Sequence, residues 1–175
     1  MTIQFYLVSF AIITSLLLLP LVPSMQAQNS TSNNTEQQGI SLNPSEAIYN
    51  ANNSQLVSAK NVSSVPYLVT EEHYVENGLL NNSVNVTNKE TFVDTHISDK
   101  LQLGTGTGVI ETSNGESITW VASGLGMVER DQWTFYTIYL FNSTNSQSLA
   151  VLNNTLAISN STTGSGSPDY MWILK

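Results

Sequence analysis

Three patterns of apolar and polar positions follow one another along this chain of 175 residues. Phe5 to Val22 form one predominantly apolar run, which as a helix would reach roughly 27 Å, near the lower limit for a bilayer core. Pro20 and Pro23 end that run and Ala27 follows closely, so residues 1–27 read as a secretory signal cut after Ala27. An uncut anchor is the alternative, because Met25 stands where a smaller residue is usual and Met1 to Gln4 contain no Lys or Arg. Residues 28–65 are rich in Asn, Ser and Gln and poor in large apolar side chains, which predicts a flexible stalk. Within it Asn43-Pro44-Ser45-Glu46 reads as an N-cap, a first-turn proline and a capping-box acid, predicting a short helix over 44–51.

From Pro66 the pattern changes to alternation rich in β-branched and aromatic residues. It predicts an all-β domain over 66–175 with strands at Tyr67 to Leu80, Ser83 to Ile97, Leu101 to Thr112, Glu116 to Val128, Gln132 to Asn142, Leu149 to Ser159 and Tyr170 to Lys175. Asn114-Gly115 is the sharpest turn signal, tolerating the positive φ angles of a two-residue hairpin, and Asn81-Asn82 is a weaker one. Consecutive long hairpins suggest an antiparallel up-and-down meander closing into a barrel, since closure removes exposed edges; a two-sheet sandwich is the alternative. Gly104, Gly106 and Gly108 alternate along one strand, as they would in a strand that coils tightly or passes beneath bulky neighbours. A phosphate-cradling loop there lacks the Lys-Ser/Thr and the helix it would need.

Charge and composition narrow the functions. The net charge is −8, with 5 Lys and Arg scattered along the chain, so nucleic acid is not an expected partner. There is no cysteine, which excludes disulfides, thiolate metal sites and a Cys nucleophile. Nine Asn-x-Ser/Thr triplets begin at Asn29, Asn33, Asn52, Asn61, Asn81, Asn85, Asn142, Asn153 and Asn160, pointing to a secreted or extracellular glycoprotein, tethered to the membrane if residues 5–22 are retained.

The stretch GTGTGVIETSNGESITW from Gly104, then SLAVLNNTLAISN and the final DYMWILK, resembles an uncharacterised group of small archaeal secreted β-domain proteins. The resemblance covers about the last hundred residues. It implies a calycin-like barrel and carries no activity or functional residue to transfer.

Alternation also sorts side chains by face. If Asn81-Asn82 is a two-residue turn, His73 lies opposite Glu90, Glu71 opposite Phe92 and Tyr67 opposite His96, all facing inward, while Glu72, Tyr74, Glu76 and Lys89 face outward. His73, Glu71, Glu90, Asp94 and His96 would then form a polar cluster inside or at the mouth of the barrel, able to bind a divalent metal or a polar ligand. The plainer reading is a cross-strand His–Glu pair, and a one-residue slip would turn half the set to solvent. No Gly-x-Ser-x-Gly elbow accompanies a serine, and paired carboxylates are ordinary in an acidic chain, so no catalytic residue is assigned. The strand Trp133 to Phe141 is apolar on both sides; one side must line the core, and the other is either covered or open to self-association. Three functions remain: a noncatalytic surface domain, structural or adhesive in the cell envelope; an extracellular protein binding a small ligand or a metal in the barrel interior, with Trp120 and Trp133 as lining; and, on fold similarity alone, a barrel enzyme using carboxylates and bound water.

Overall fold

Alternation becomes eight antiparallel strands in the computed structural model, which describes residues 42–129, 131–163 and 168–174 and, at 52 and 53, the backbone alone. The strands are β1 (Tyr49–Ser63), β2 (Leu68–Leu80), β3 (Val84–Ser98), β4 (Leu101–Thr112), β5 (Ser117–Glu129), β6 (Gln132–Phe141), β7 (Leu156–Thr162) and β8 (Asp169–Ile173). Each pairs with its neighbours in sequence, and β8 returns to β1, giving the closed up-and-down barrel. The leader or anchor over 1–27, the stalk as far as residue 41 and the triplets at Asn29 and Asn33 lie outside the described residues. Among the described residues no helix is long and apolar enough to cross a membrane.

The barrel begins earlier than residue 66. Residues 49–63, expected in the stalk, form β1, and the helix expected over 44–51 is a single 3₁₀ turn at Pro44–Glu46, whose Asn43 Oδ1 accepts from the Ser45 N–H. Against β2, the strand β1 carries an extra residue at Asn52, at Val57 and at Val62. Each bulge resets which face the next side chain takes, so the two-residue period that marks a strand never accumulates.

Both hairpin turns differ from the two-residue expectation. Leu80 pairs with Val84, leaving Asn81, Asn82 and Ser83 in the connection, with φ of 49° at Asn81 and 55° at Asn82. The Asn81 N–H donates to Ile48 O at 2.7 Å, extending the β1–β2 edge by one residue, and the turn closes from Ser83 N to Leu80 O. At the β4–β5 hairpin only Gly115 has positive φ, 85°, and the Thr112 hydroxyl accepts from the Glu116 N–H. That is a turn ended by a left-handed glycine.

Leu149 to Ser159 is only partly strand. Ala150–Leu152 forms a 3₁₀ turn and β7 starts at Leu156, because Leu149 and Leu152, three apart, both point into one end of the barrel and are fully buried there. They stopper an apolar core of Tyr49, Leu80, Ile110, Ile118, Trp120 and Phe141, each such side chain contributing about 1.5–3 kcal/mol by leaving water. The expectation for Gly104, Gly106 and Gly108 holds. A Cβ at Gly104 would meet the Asp94 carboxyl, one at Gly106 the Phe92 ring and one at Gly108 the Trp120 ring.

Candidate binding cavity in the barrel interior

Above the apolar stopper the interior changes character. A cavity of about 460 Å³ occupies the half of the barrel where β1, β3, β5 and β7 end. Gly104 on β4 and Gly124 and Gly126 on β5 form part of its wall, where Asp94, Thr137 and Phe135 lie directly over the bare backbone. Because β8 is five residues long and meets β1 at three positions only, Ser54, Gln55 and Leu56 of β1 and Ser161 and Thr162 of β7 line the cavity as well.

Four carboxyl groups line this space: Glu76 on β2, Glu90 and Asp94 on β3, and Asp169 on β8. Their positions follow from the pleat, which turns every second residue of β2 and β3 inward. Tyr49 donates its hydroxyl to Glu76 Oε2 at 2.7 Å. Asp169 lines the same space as Glu76, whose carboxyl disfavours the charged form of Asp169. Asn88, 1% exposed, donates from Nδ2 to Glu90 and accepts at Oδ1 from Trp120 Nε1 at 3.0 Å. Trp120 in turn lies edge-on to Tyr139 with ring centres 4.9 Å apart, so the floor of the cavity is fixed by packing. Tyr74 donates to Glu72 on the same face of β2.

Asp94 differs from the other three. It is 8% exposed, lines the cavity, and has no hydrogen-bond partner among the described residues. Gln102, equally buried beside it, has none of its own either.

Withdrawal from water disfavours the charged form of each acid. Burial first, and the Glu72 charge second, push Asp94 up to about 7. Burial and then the charge of Glu76 raise Glu90 well above the usual carboxylate range. Asp169 is raised by burial first and then by the neighbouring Glu76 carboxyl. The phenols of Tyr49, Tyr74 and Tyr139 are raised too, burial being the main cause, and stay neutral donors. No Lys or His side chain among the described residues lines the cavity.

The five residues expected to form one cluster are divided between the two faces of the sheet. Glu90 and Asp94 face inward as expected. The three-residue connection after Leu80 slips the β2–β3 register by one, so Tyr74, not His73, lies opposite Glu90. Glu71 and His73 are therefore on the outer face, where Glu71 holds Lys60 at 2.8 Å and His73 Nε2 at 3.2 Å. The Lys60 ammonium draws the Glu71 carboxyl below its usual range. His73 Nδ1 also meets Thr91 Oγ1 at 2.9 Å. His96 shares the inward face of β3 with Asp94, two residues away, and its Nε2 meets Oγ1 of Thr70, the residue paired with Asp94, at 3.1 Å; it does not line the cavity itself. Glu72, Tyr74 and Glu76, expected outside, belong to the inner face. Among the described residues no three His, Asp or Glu side chains are placed to hold one metal ion.

Tyr49, Asn88, Tyr139 and Asp169 complete the site and were not singled out by sequence. Asp169 and Tyr49 sit on the short closing strand and the bulged first strand, whereas Asn88 was readable as the residue between Val86 and Glu90 on the inward face of β3. Of the two tryptophans expected as lining, Trp120 packs under the cavity floor and Trp133 stacks on Phe135.

No family model matches this chain, and no curated protein does. Among solved structures it is similar to a conserved protein of unknown function from Rhodopseudomonas palustris, at 10% sequence identity and a TM-score of 0.58, over 74% of this chain and 96% of that one. At that identity the likeness concerns the fold alone.

Proposed function

We propose that this protein is a noncatalytic binding protein that holds a small polar ligand inside the barrel, displayed outside the cytoplasm as a secreted or cell-surface glycoprotein. The observation that carries the reading is the cavity: about 460 Å³, within the range of small-molecule sites, with a fixed aromatic floor and inward-facing polar groups. A barrel serving only as a structural module would fill that volume with side chains, as this one does at its other end. Display outside the cytoplasm rests on the apolar leader, the resemblance to archaeal secreted proteins and the triplets. Asn61, Asn81, Asn85, Asn142 and Asn153 are exposed and Asn160 half-buried, so glycans at these positions need not disturb the core.

The test is native mass spectrometry of the full chain purified from its own cells. A small molecule should accompany the wild type and be lost in Ser161→Trp, which fills the cavity edge. Equal retention of the same molecule by that variant would refute the reading, and the same spectra report glycan mass and leader removal.

One observation favours a second reading, adhesion or self-association. On the outside of β6 the side chains of Ile138 and Leu140 are 48% and 50% exposed, next to exposed Val121 on β5 and Leu156 on β7. Concentration-dependent dimerisation abolished by Leu140→Lys would support it.

A further inference from the structure

The arrangement of charge inside the cavity narrows what it can hold, given the proposed binding role on which this inference rests. An anion is excluded by four carboxyl groups that have no cationic side chain among the described lining residues. A neutral polyol could be hydrogen-bonded by such groups, but it would leave a buried carboxylate without a counter-charge. Asp94 is that case above about pH 7, being 8% exposed, facing the cavity and without a hydrogen-bond partner among the described residues. A metal ion would need several ligands at one point, and no three acids are so placed among the described residues. The lining also includes Tyr49, Tyr74, Phe92, Phe135 and Tyr139, presenting ring surface that an alkyl chain or a cation can lie against.

We infer that the ligand is a small organic cation, a primary or secondary alkylammonium whose nitrogen is seated on Asp94 and whose chain lies along the aromatic wall. An ammonium supplies the missing counter-charge and up to three N–H donors, enough for Asp94 and the neighbouring Gln102 amide oxygen. The net charge of −8 also draws cations to the barrel from solution.

Binding should depend on pH with a definite sign. An empty Asp94 keeps its proton up to about pH 7, whereas an alkylammonium stays charged to about pH 10, so the cation displaces the proton and affinity rises with pH between them. The other titratable groups facing this space are Tyr49 on β1, Glu72, Tyr74 and Glu76 on β2, Glu90 and, through Thr70, His96 on β3, Tyr139 on β6, and Asp169 and Tyr170 on β8; β4, β5 and β7 contribute none. Apart from the phenols and the His96 imidazole these are acids, and the acids reinforce the same direction.

Isothermal titration of the full chain with 1,4-diaminobutane and spermidine, against 1,4-butanediol, succinate and calcium chloride, tests the inference. An amine should bind, at least about tenfold more tightly at pH 8 than at pH 6. Asp94→Asn should lose at least about tenfold at pH 8 with no lowering of its thermal melt, Glu90→Gln should weaken binding less, and Glu71→Gln on the outer face should change nothing. If the diol, succinate or calcium binds as tightly as the amines, or if Asp94→Asn binds them unchanged while Ser161→Trp does not, the cation assignment falls and the interior site stands. Amine binding that survives both Asp94→Asn and Ser161→Trp would place it on the outer surface and remove both readings. No heat from either amine at about 1 mM also overturns the assignment, and the mass-spectrometric comparison then still decides whether the interior is occupied.

Discussion

The two ends of this barrel are built from the same eight strands yet do opposite work. At one end Leu80, Ile110, Ile118, Trp120 and Phe141 meet beneath Leu149 and Leu152, and the space is filled. At the other, glycines replace bulk on β4 and β5, and Glu76, Glu90, Asp94 and Asp169 surround an opening. The apolar end supplies the stability that lets the other end keep buried acids and unfilled volume, both of which are unfavourable on their own. Stability and binding are thus segregated along one axis, and substitutions should sort by the end they touch.

The largest effect belongs to the filled end. Trp120→Ala removes a ring that is 1% exposed together with the Asn88 hydrogen bond, and should destabilise by about 3–5 kcal/mol, read as the denaturant midpoint. Leu152→Ala follows at about 2–5 kcal/mol. If Ser161→Trp at the open end lowered stability as much, the segregation would be disproved.

Next comes pH. Below about pH 4 Asp94, Glu90 and Asp169 are protonated in the folded chain and largely so in the unfolded one, so they impose no pH-dependent penalty. Above it the unfolded chain ionises while Asp94 holds its proton up to about 7, and Glu90 and Asp169 are raised in the same direction. The unfolded state then binds fewer protons, and stability falls as pH rises through that window. The melting temperature of the empty protein should be higher at pH 5 than at pH 8. Glu71, whose carboxyl is held low by Lys60, acts with the opposite sign, but this pair is on the outer face and screened by solvent. Asp94→Asn should raise stability at pH 8 by about 1–3 kcal/mol more than it does at pH 4, below which no charge difference remains. A stabilisation equal at both pH values would mean that charge is not what makes Asp94 costly.

The smallest effect is expected at His73→Gln, within about 0.5 kcal/mol, since its ring lies on the outer face between Glu71 and Thr91. Loss of amine binding in that variant would contradict the division into inner and outer faces.

Most of the meander was legible because apolar alternation persists wherever one face is buried. It failed in particular places for particular reasons. In β1 the bulges at Asn52, Val57 and Val62 break the period, and most of that strand is exposed and small, so its composition resembles a stalk. Around Leu149 burial is achieved by two leucines three residues apart in a 3₁₀ turn, a spacing that a strand template misreads. The site was half legible. Glu90 and Asp94 were placed correctly from the face shared with Val86 and Phe92, but Glu71 and His73 were exchanged for Glu72, Tyr74 and Glu76 by one residue of turn length, which the Asn81 N–H bond to Ile48 sets and local sequence does not announce.

Seven of the eight strand pairings join segments adjacent in the chain, but Tyr49 meets Met171 only after about 120 intervening residues have been brought round. A hairpin ladder can therefore zip up locally and curl before its first and last members touch, with the three-rung clasp between them as the slow, entropy-limited closing event. The same clasp should be the first rung-set to exchange its amide hydrogens in the finished molecule.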